Sequence, residues 1–321
     1  MVLYGLQQLQ GQLHIVNNTR PITEVLANPS TPDSIKQKLF VIDEIKEFAV
    51  ASLGLKNTDN YTSYYDQQDK PVLWVLTIAP PFKVENYQWD YPFLGKLSYK
   101  GFFEKERGLK EKQEFEHKGF DADLSPTGGW STLGWFKDPV LSNMLKRSEG
   151  SLAELIIHEL THATLYIKGN VEFNENLATF IGEKGAEQFL MFKYKTDSTI
   201  LIKYLHRRHD EKVFGEYILQ SMDTLKNLYS SFDKSQLSKK EMYLLKYQKI
   251  AGFMQGVSDL PLYNKKRYEW DFTTKTLPDN TYFLSYSNYR KSQMEMESVF
   301  RDSTASDLKQ FIEYYKSRYG K

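Results

Sequence analysis

The spacing of hydrophobic residues predicts helices towards both ends of the chain and short strands between them. Leu6, Leu9 and Leu13 recur at helical spacing and predict a helix over 3–15. A second apolar face predicts a helix over 34–53. From Ser151 onward the same periodicity predicts helices over 152–166, 174–194, 199–232, 239–258, 280–300 and 305–319.

The middle of the N-terminal half has a different pattern. Residues 71–80 form a short apolar run between two prolines, which is typical of a buried strand. Residues 97–103 and 129–136 are further strand candidates, whereas the charged segment 104–117 indicates a solvated helix. The sequence therefore predicts an α+β fold, with a small sheet in a mixed N-terminal half and a mainly helical C-terminal half.

The change from mixed to helical character places a soft boundary near residue 145. We expect a mixed α/β part over 1–145 and a helical part over 146–321. The two parts either form separate domains or pack as one compact unit. The sequence shows no internal repeat and no low-complexity linker.

Composition narrows the function classes. The 321-residue chain has a formal net charge of +1, which argues against nucleic acid as its main partner. It contains no Cys, so disulfides and a cysteine nucleophile are excluded, and any bound metal must be held by His and carboxylates. No apolar run reaches the length of about 18 residues expected of a membrane span.

The predicted helix 152–166 carries the pattern His-Glu-x-x-His at His158, Glu159 and His162. Residues four apart share one helix face, so His158 and His162 can present ring nitrogens to one ion, with Glu159 beside it as the base. Two imidazoles and a carboxylate on an otherwise apolar helix are costly to bury, and a metal removes that cost.

Catalytic zinc usually takes three protein ligands. Glu175 lies 175 − 162 = 13 residues after the second His, at the start of the next predicted helix. A short connection between two antiparallel helices would return it to the metal. Glu172 and Glu183 are rival candidates for this third position.

His-Glu-Leu-Thr-His followed by Asn-Glu-x-x-Ala resembles the gluzincin class of metallopeptidases. The resemblance implies one zinc ion per chain, held by His158, His162 and Glu175. Thermolysin-like members carry an Asp four residues after that Glu, where this chain has Thr179. Another carboxylate or a carbonyl is then expected to orient His158.

A longer resemblance rests on residues 11–13, 20–22, 48–49, 53–55, 99–103 and above all 131–139, which contains Ser-Thr-Leu-Gly-Trp-Phe. From about residue 4 to about residue 300 the chain resembles a bacterial family of predicted aminopeptidases. Members carry two Cys around the segment that reads 90–96 here, and this chain has neither.

The resemblance also implies roles outside the zinc motif. Residues 128–136 would pair with the substrate backbone as an edge strand, the alternative being a buried structural strand. Tyr289 would stabilise the oxyanion, with Tyr286 and Tyr166 as alternatives. Two further histidines lack a Glu partner and are expected on a solvated helix face: His206 and His209.

The expected function is zinc-dependent hydrolysis of peptide bonds by an aminopeptidase, with Glu159 as general base. Glu172 or Glu183 would recognise the substrate α-amine. A metalloendopeptidase and a non-catalytic, zinc-containing envelope protein remain as alternatives. The resemblance favours the bacterial cell envelope over the cytoplasm, with membrane contact only through a lipid anchor preceding this chain; peptides are the expected partners.

Overall fold

The computed structural model describes residues 2–91, 95–127, 137–196, 198–233, 235–273, 276–287 and 291–320. The α-helices in these ranges are α1 (Val2–Asn17), α2 (Ile22–Ala27), α3 (Asp33–Ala51), α4 (Lys105–His117), α5 (Glu149–Thr164), α6 (Val171–Tyr194), α7 (Thr199–Phe232), α8 (Lys239–Gly256), α9 (Asn280–Leu284), α10 (Lys291–Ser303) and α11 (Leu308–Tyr319). The β-strands are β1 (Arg20–Pro21), β2 (Ser63–Tyr65), β3 (Trp74–Ala79), β4 (Trp89–Tyr91), β5 (Gly95–Leu97), β6 (Lys100–Phe102), β7 (Asp121–Pro126) and β8 (Val140–Leu141).

This element order confirms the α+β class. The described strands all precede residue 142, and helices dominate from α5 onward. The helix predicted over 104–117 is confirmed as α4, whose side chains are mostly exposed. Among the described residues, no helix combines the length and the apolar character that a bilayer crossing demands.

The chain forms two compact units, each assembled from segments that are distant in sequence. The first unit comprises Leu73–Thr127 and His206–Asn288, and the second comprises Val2–Val72, Gly128–Leu205 and Tyr289–Lys321. The boundary expected near residue 145 lies inside the second unit. Composition could not reveal this interleaving, because contacts between distant segments define the units.

The first unit contains the antiparallel sheet β6-β3-β7. The strand predicted over 71–80 is confirmed as β3, where Leu76 and Ile78 alternate towards the core and are fully buried. In contrast, the strand predicted over 97–103 is divided between β5 and β6, which belong to different sheets.

A buried ionic network holds the first unit together. The Lys246 ammonium on α8 is 0% exposed and donates to Asp121 on β7, with Nζ to Oδ2 at 2.5 Å. It also donates to the carbonyl of Pro81 at 3.0 Å. The backbone N–H of Asn280, at the start of α9, donates to the same carboxylate at 3.0 Å. The network therefore ties a strand, a loop and two helices to one another.

The second unit contains the helix pair α5–α6, with α3 packed on α5. Apolar residues spaced three or four apart on α5, namely Leu152, Ile156 and Leu160, are almost fully buried in its core. The small sheet β1-β2-β8 joins an antiparallel pair to a parallel one. The connection between α5 and α6 is short, so the pair forms an αα-hairpin.

The single helix predicted over 280–300 is wrong, because α9 ends at residue 284 and α10 begins at residue 291. The Ser285 hydroxyl donates to the carbonyl of Tyr282 at 2.7 Å. The Ser287 hydroxyl donates to the carbonyl of Leu284 at 2.8 Å. Such side-chain bonds compete with the helical pattern and favour a turn.

Candidate metal centre

Local capping fixes the start of α5 and so the position of its histidines. The Ser148 hydroxyl accepts the Ser151 backbone N–H at 3.3 Å, which satisfies one of the free donors at the helix start. Three turns later the apolar face is interrupted by His158 and His162. Their side chains are only 20% and 15% exposed, so both rings are largely removed from water.

A side chain of the Asn-Glu motif fixes the connection to α6. Asn174 is 1% exposed. Its Nδ2 donates to the Ile167 carbonyl at 2.8 Å, and its Oδ1 accepts the Ile167 N–H at 2.9 Å. The Asn170 side chain caps α6 by accepting the N–H of Phe173. The hairpin turn is thus tied to the first turn of α6, which directs the next residue, Glu175, back towards α5.

The ligand atoms of three residues converge on one point. His158 Nε2 and His162 Nε2 are 3.1 Å apart. Glu175 Oε2 lies 3.5 Å from His158 Nε2, and Glu175 Oε1 lies 3.3 Å from His162 Nε2. Among the described residues, this is the one group of three or more His, Asp and Glu side chains close enough to hold a metal ion.

The donor set and its dimensions fit zinc. Bonds of about 2.0–2.2 Å in a tetrahedral zinc site separate neighbouring ligand atoms by about 3.3–3.6 Å. The three observed separations, 3.1, 3.3 and 3.5 Å, match that scale. His162 Nδ1 is buried and has no hydrogen-bond partner among the described residues, so the protein holds this ring through packing and its Nε2 contacts.

Electrostatics within the cluster favour a negative Glu175. Hydrogen bonds from His158 and His162 hold the pKa of its carboxyl well below the usual range. Burial opposes protonation of His158, but the hydrogen bond to Glu175 and the charges of Glu159 and Glu175 outweigh it and raise its pKa.

Glu159 lies beside the cluster in a different environment. Burial raises the pKa of its carboxyl, the two histidines oppose the shift, and the charges of Asp138 and Glu175 add to it. Tyr61 is only 3% exposed, and the pKa of its hydroxyl is raised, first by burial and then by the negative charge of Glu159. This effect places Glu159 near the Tyr61 hydroxyl. A half-buried carboxyl with a raised pKa is a suitable proton acceptor at neutral pH.

The rival ligands lie outside the convergent group. Glu172 is exposed in the first turn of α6, and its backbone carbonyl accepts a hydrogen bond from the Asn176 side chain at 2.8 Å. Glu183 lies two turns beyond Glu175, and its carbonyl accepts the Tyr204 hydroxyl at 3.1 Å. Neither contributes a ligand atom to the group that contains Glu175.

The candidate oxyanion donors and the two remaining candidate histidines lie in different parts of the molecule. Tyr166 is 46% exposed, and its ring centroid lies 6.1 Å from that of His162. Tyr286 belongs to the first unit and contacts Tyr282, while Tyr289 and the proposed edge strand over 128–136 lie outside the described residues. In the first unit, His209 is exposed as expected, whereas the half-buried His206 stacks on Tyr263 at 3.6 Å.

A carboxylate that was not predicted from the sequence, Glu154, lies one turn before the first histidine. Glu154 contributes to the raised pKa of His158, which places its charge near that ring. Its Oε2 accepts the Tyr204 hydroxyl at 3.2 Å, so the side chain is held from α7. The spacing of four residues from Glu154 to His158 on one helix was the available signal.

Fold and site together define an α+β protein with a candidate metal centre on a helix pair. Over residues 3–318 the chain matches the sequence model of a family described as "Putative aminopeptidase", and it belongs to that family. The membership confirms the resemblance to a family of predicted aminopeptidases that runs along most of the sequence. No curated protein and no solved structure matches the chain significantly.

Proposed function

We propose that this protein is a zinc-dependent peptidase that removes residues from the N termini of peptides. The supporting observation is the convergence of His158 Nε2, His162 Nε2 and Glu175 on one point, with Glu159 on the turn between the two histidines. The family description supports peptide hydrolysis, and specifically an exopeptidase. The chemistry of the donor set supports zinc over harder cations.

Zinc held by His158, His162 and Glu175 would act as a Lewis acid towards a substrate carbonyl and towards water. Glu159 takes the proton from the attacking water and passes it to the amine that leaves. Its raised pKa suits both transfers, because a carboxyl that is too acidic returns the proton poorly. Tyr166, whose ring centroid lies 6.1 Å from that of His162, is the candidate hydrogen-bond donor to the oxyanion among the described tyrosines predicted for this role.

The proposal is tested on aminoacyl fluorogenic substrates with a free and with an N-acetylated α-amine. We expect cleavage of the free-amine substrate alone, abolished by a chelator and restored by zinc. Cleavage of both substrates would indicate a metalloendopeptidase. Zinc binding without cleavage of either would favour the non-catalytic alternative, and chelator-insensitive cleavage would contradict zinc dependence.

A further inference from the structure

Helix α6 lies close to the backbone of α5 at a glycine beside the candidate metal centre. A Cβ atom on Gly182 would lie 2.8 Å from the backbone oxygen of Glu154. It would also lie 3.2 Å from His158 Cβ and 3.4 Å from His158 N. The first of these contacts is with backbone, which no side-chain rotation can move away.

Gly182 and Glu175 share one face of the same helix. They are seven residues apart, almost two full turns, so both face α5. The helix pair places Gly182 against the turn 154–158, and Glu175 against His158 and His162. The separation of the helices at Gly182 therefore sets how far the Glu175 carboxylate must reach.

The size of the effect can be judged from the distances. Ordinary contact begins near 3.4 Å, so a Cβ at 2.8 Å requires the backbones to separate by about 0.6 Å. Metal–ligand distances tolerate deviations of only about 0.2 Å. A shift three times that tolerance would displace one ligand of the three.

We propose that Gly182 is a positioning residue of the metal centre, whose missing side chain sets the α5–α6 separation that brings Glu175 to His158 and His162. The inference rests on the zinc binding of the proposed function. It concerns Gly182 alone, which lies beside His158 but supplies no ligand.

The same helix offers a matched control. A Cβ on Gly185 would lie 3.0 Å from Ile157 Cδ1 and Cγ2 and 3.1 Å from Leu53 Cδ1, which are side-chain methyl groups and not backbone atoms. Replacing glycine by alanine inside a helix gains about 1 kcal/mol of intrinsic propensity at either position. A difference in zinc affinity between Gly182→Ala and Gly185→Ala therefore measures the effect of the contact with the Glu154 backbone.

The experiment measures zinc affinity of the full chain by competition with a chromophoric chelator. We expect Gly182→Ala to bind zinc about 10–100-fold more weakly, the range seen when groups that orient metal ligands are lost. Gly185→Ala should stay within about twofold of the unaltered chain. Affinity of Gly182→Ala within about twofold of the unaltered chain would overturn the inference.

A double-substitution cycle separates positioning from general destabilisation. If Gly182 acts through Glu175, Gly182→Ala should cost little further affinity in a Glu175→Gln background. An undiminished loss in that background would overturn the inference. Should Gly182→Ala unfold in chelator, a zinc titration followed by circular dichroism measures the affinity through linked folding.

If Gly182→Ala unfolds in chelator but regains its fold at zinc concentrations that saturate the unaltered chain, the inference is contradicted. Two failures remain distinguishable. No zinc binding by the unaltered chain contradicts the proposed function itself and this inference with it. Equal affinities of the unaltered chain and Gly182→Ala contradict the inference alone.

Discussion

The first unit encloses a lysine and an aspartate whose charges meet directly in the interior, whereas the second unit brings three potential metal ligands together at a partly exposed position. Lys246 and Asp121 are 0% and 7% exposed, and the backbone supplies further partners to both. In the second unit, two imidazole nitrogens and a carboxylate face a common point, and the carboxylate side chain of Glu175 remains 54% exposed.

This difference separates a structural network from a candidate site. A buried ion pair needs nothing added, and its removal leaves a charge without a partner. Two imidazoles and a carboxylate at metal-ligand separations can bind a cation, and their partial exposure allows exchange with solvent. The two clusters should therefore respond in opposite ways to substitution, metal and pH.

The largest expected effect concerns catalysis in the second unit. Glu159→Gln should lower kcat by about 10²–10⁴-fold, the usual contribution of a general base, while zinc stays bound. Steady-state kinetics and metal analysis of the same preparation test this. Glu313→Gln, an exposed carboxylate on α11 paired with Lys316, is the control and should leave both unchanged. Near-normal turnover by Glu159→Gln would remove it from the mechanism.

The next effect concerns stability of the first unit. Lys246→Met should lower the free energy of unfolding at pH 7 by about 3–5 kcal/mol, because Asp121 is left buried without its partner. Denaturant titration measures the loss. Lys249→Met, at an exposed position on the same helix, is the control. A cost below 1 kcal/mol would show that the ion pair contributes little.

The pH dependence of this variant follows from Asp121. Burial raises the pKa of its carboxyl to about 6 even beside Lys246, above the ordinary 3.8. Removing the lysine raises it further, so the folded state of the variant holds a proton that the unfolded state releases. Its stability deficit should shrink as the pH falls below that raised pKa, because protonation removes the unpaired charge. A deficit independent of pH would contradict this account.

A smaller catalytic effect is expected at Tyr166. Loss of one oxyanion donor usually lowers kcat by about 10²–10³-fold. We expect Tyr166→Phe to lower kcat by about 10²-fold or less and to leave zinc affinity unchanged. Tyr319→Phe, an equally exposed tyrosine on α11, serves as the control. Unaltered kinetics of Tyr166→Phe would show that a different residue donates the hydrogen bond to the oxyanion.

The smallest expected effect is a gradual change of zinc affinity with pH. The pKa of His158 is raised above its ordinary 6.5, and zinc must displace that proton. Affinity should be constant well above this pKa and weaken about tenfold per pH unit below it for each proton displaced. Chelator competition between pH 8 and 5.5 measures the slope. A flat profile would exclude His158 as a ligand.

Features that depend only on residues close together in sequence could be predicted from the spacing of those residues. His158 and His162 were recognisable because a four-residue spacing puts them on one helix face, and β3 because its apolar run is short and bounded by prolines. The short connection between two helices made Glu175 one of three candidates for the third ligand, and the resemblance of its Asn-Glu motif to gluzincins favoured it over Glu172 and Glu183. These inferences need only residues near in sequence.

The rest depends on contacts that no local pattern reveals. Strand β7 was missed because it starts with Asp121, whose partner Lys246 lies 125 residues away. The Asn174 bonds to Ile167 and the contact of Gly182 with Glu154 depend on the relative placement of α5 and α6. The interleaved units likewise reflect long-range packing, which periodicity does not record.

The most direct test of the central claim is the zinc content of the purified protein, determined for the unaltered chain, His162→Ala and His209→Ala. The account predicts one zinc per chain in the unaltered protein and in His209→Ala, whose histidine lies outside the cluster. It predicts loss of zinc in His162→Ala. A metal-free protein after zinc loading, or full zinc content in His162→Ala, would contradict the assignment of His158, His162 and Glu175 as its ligands.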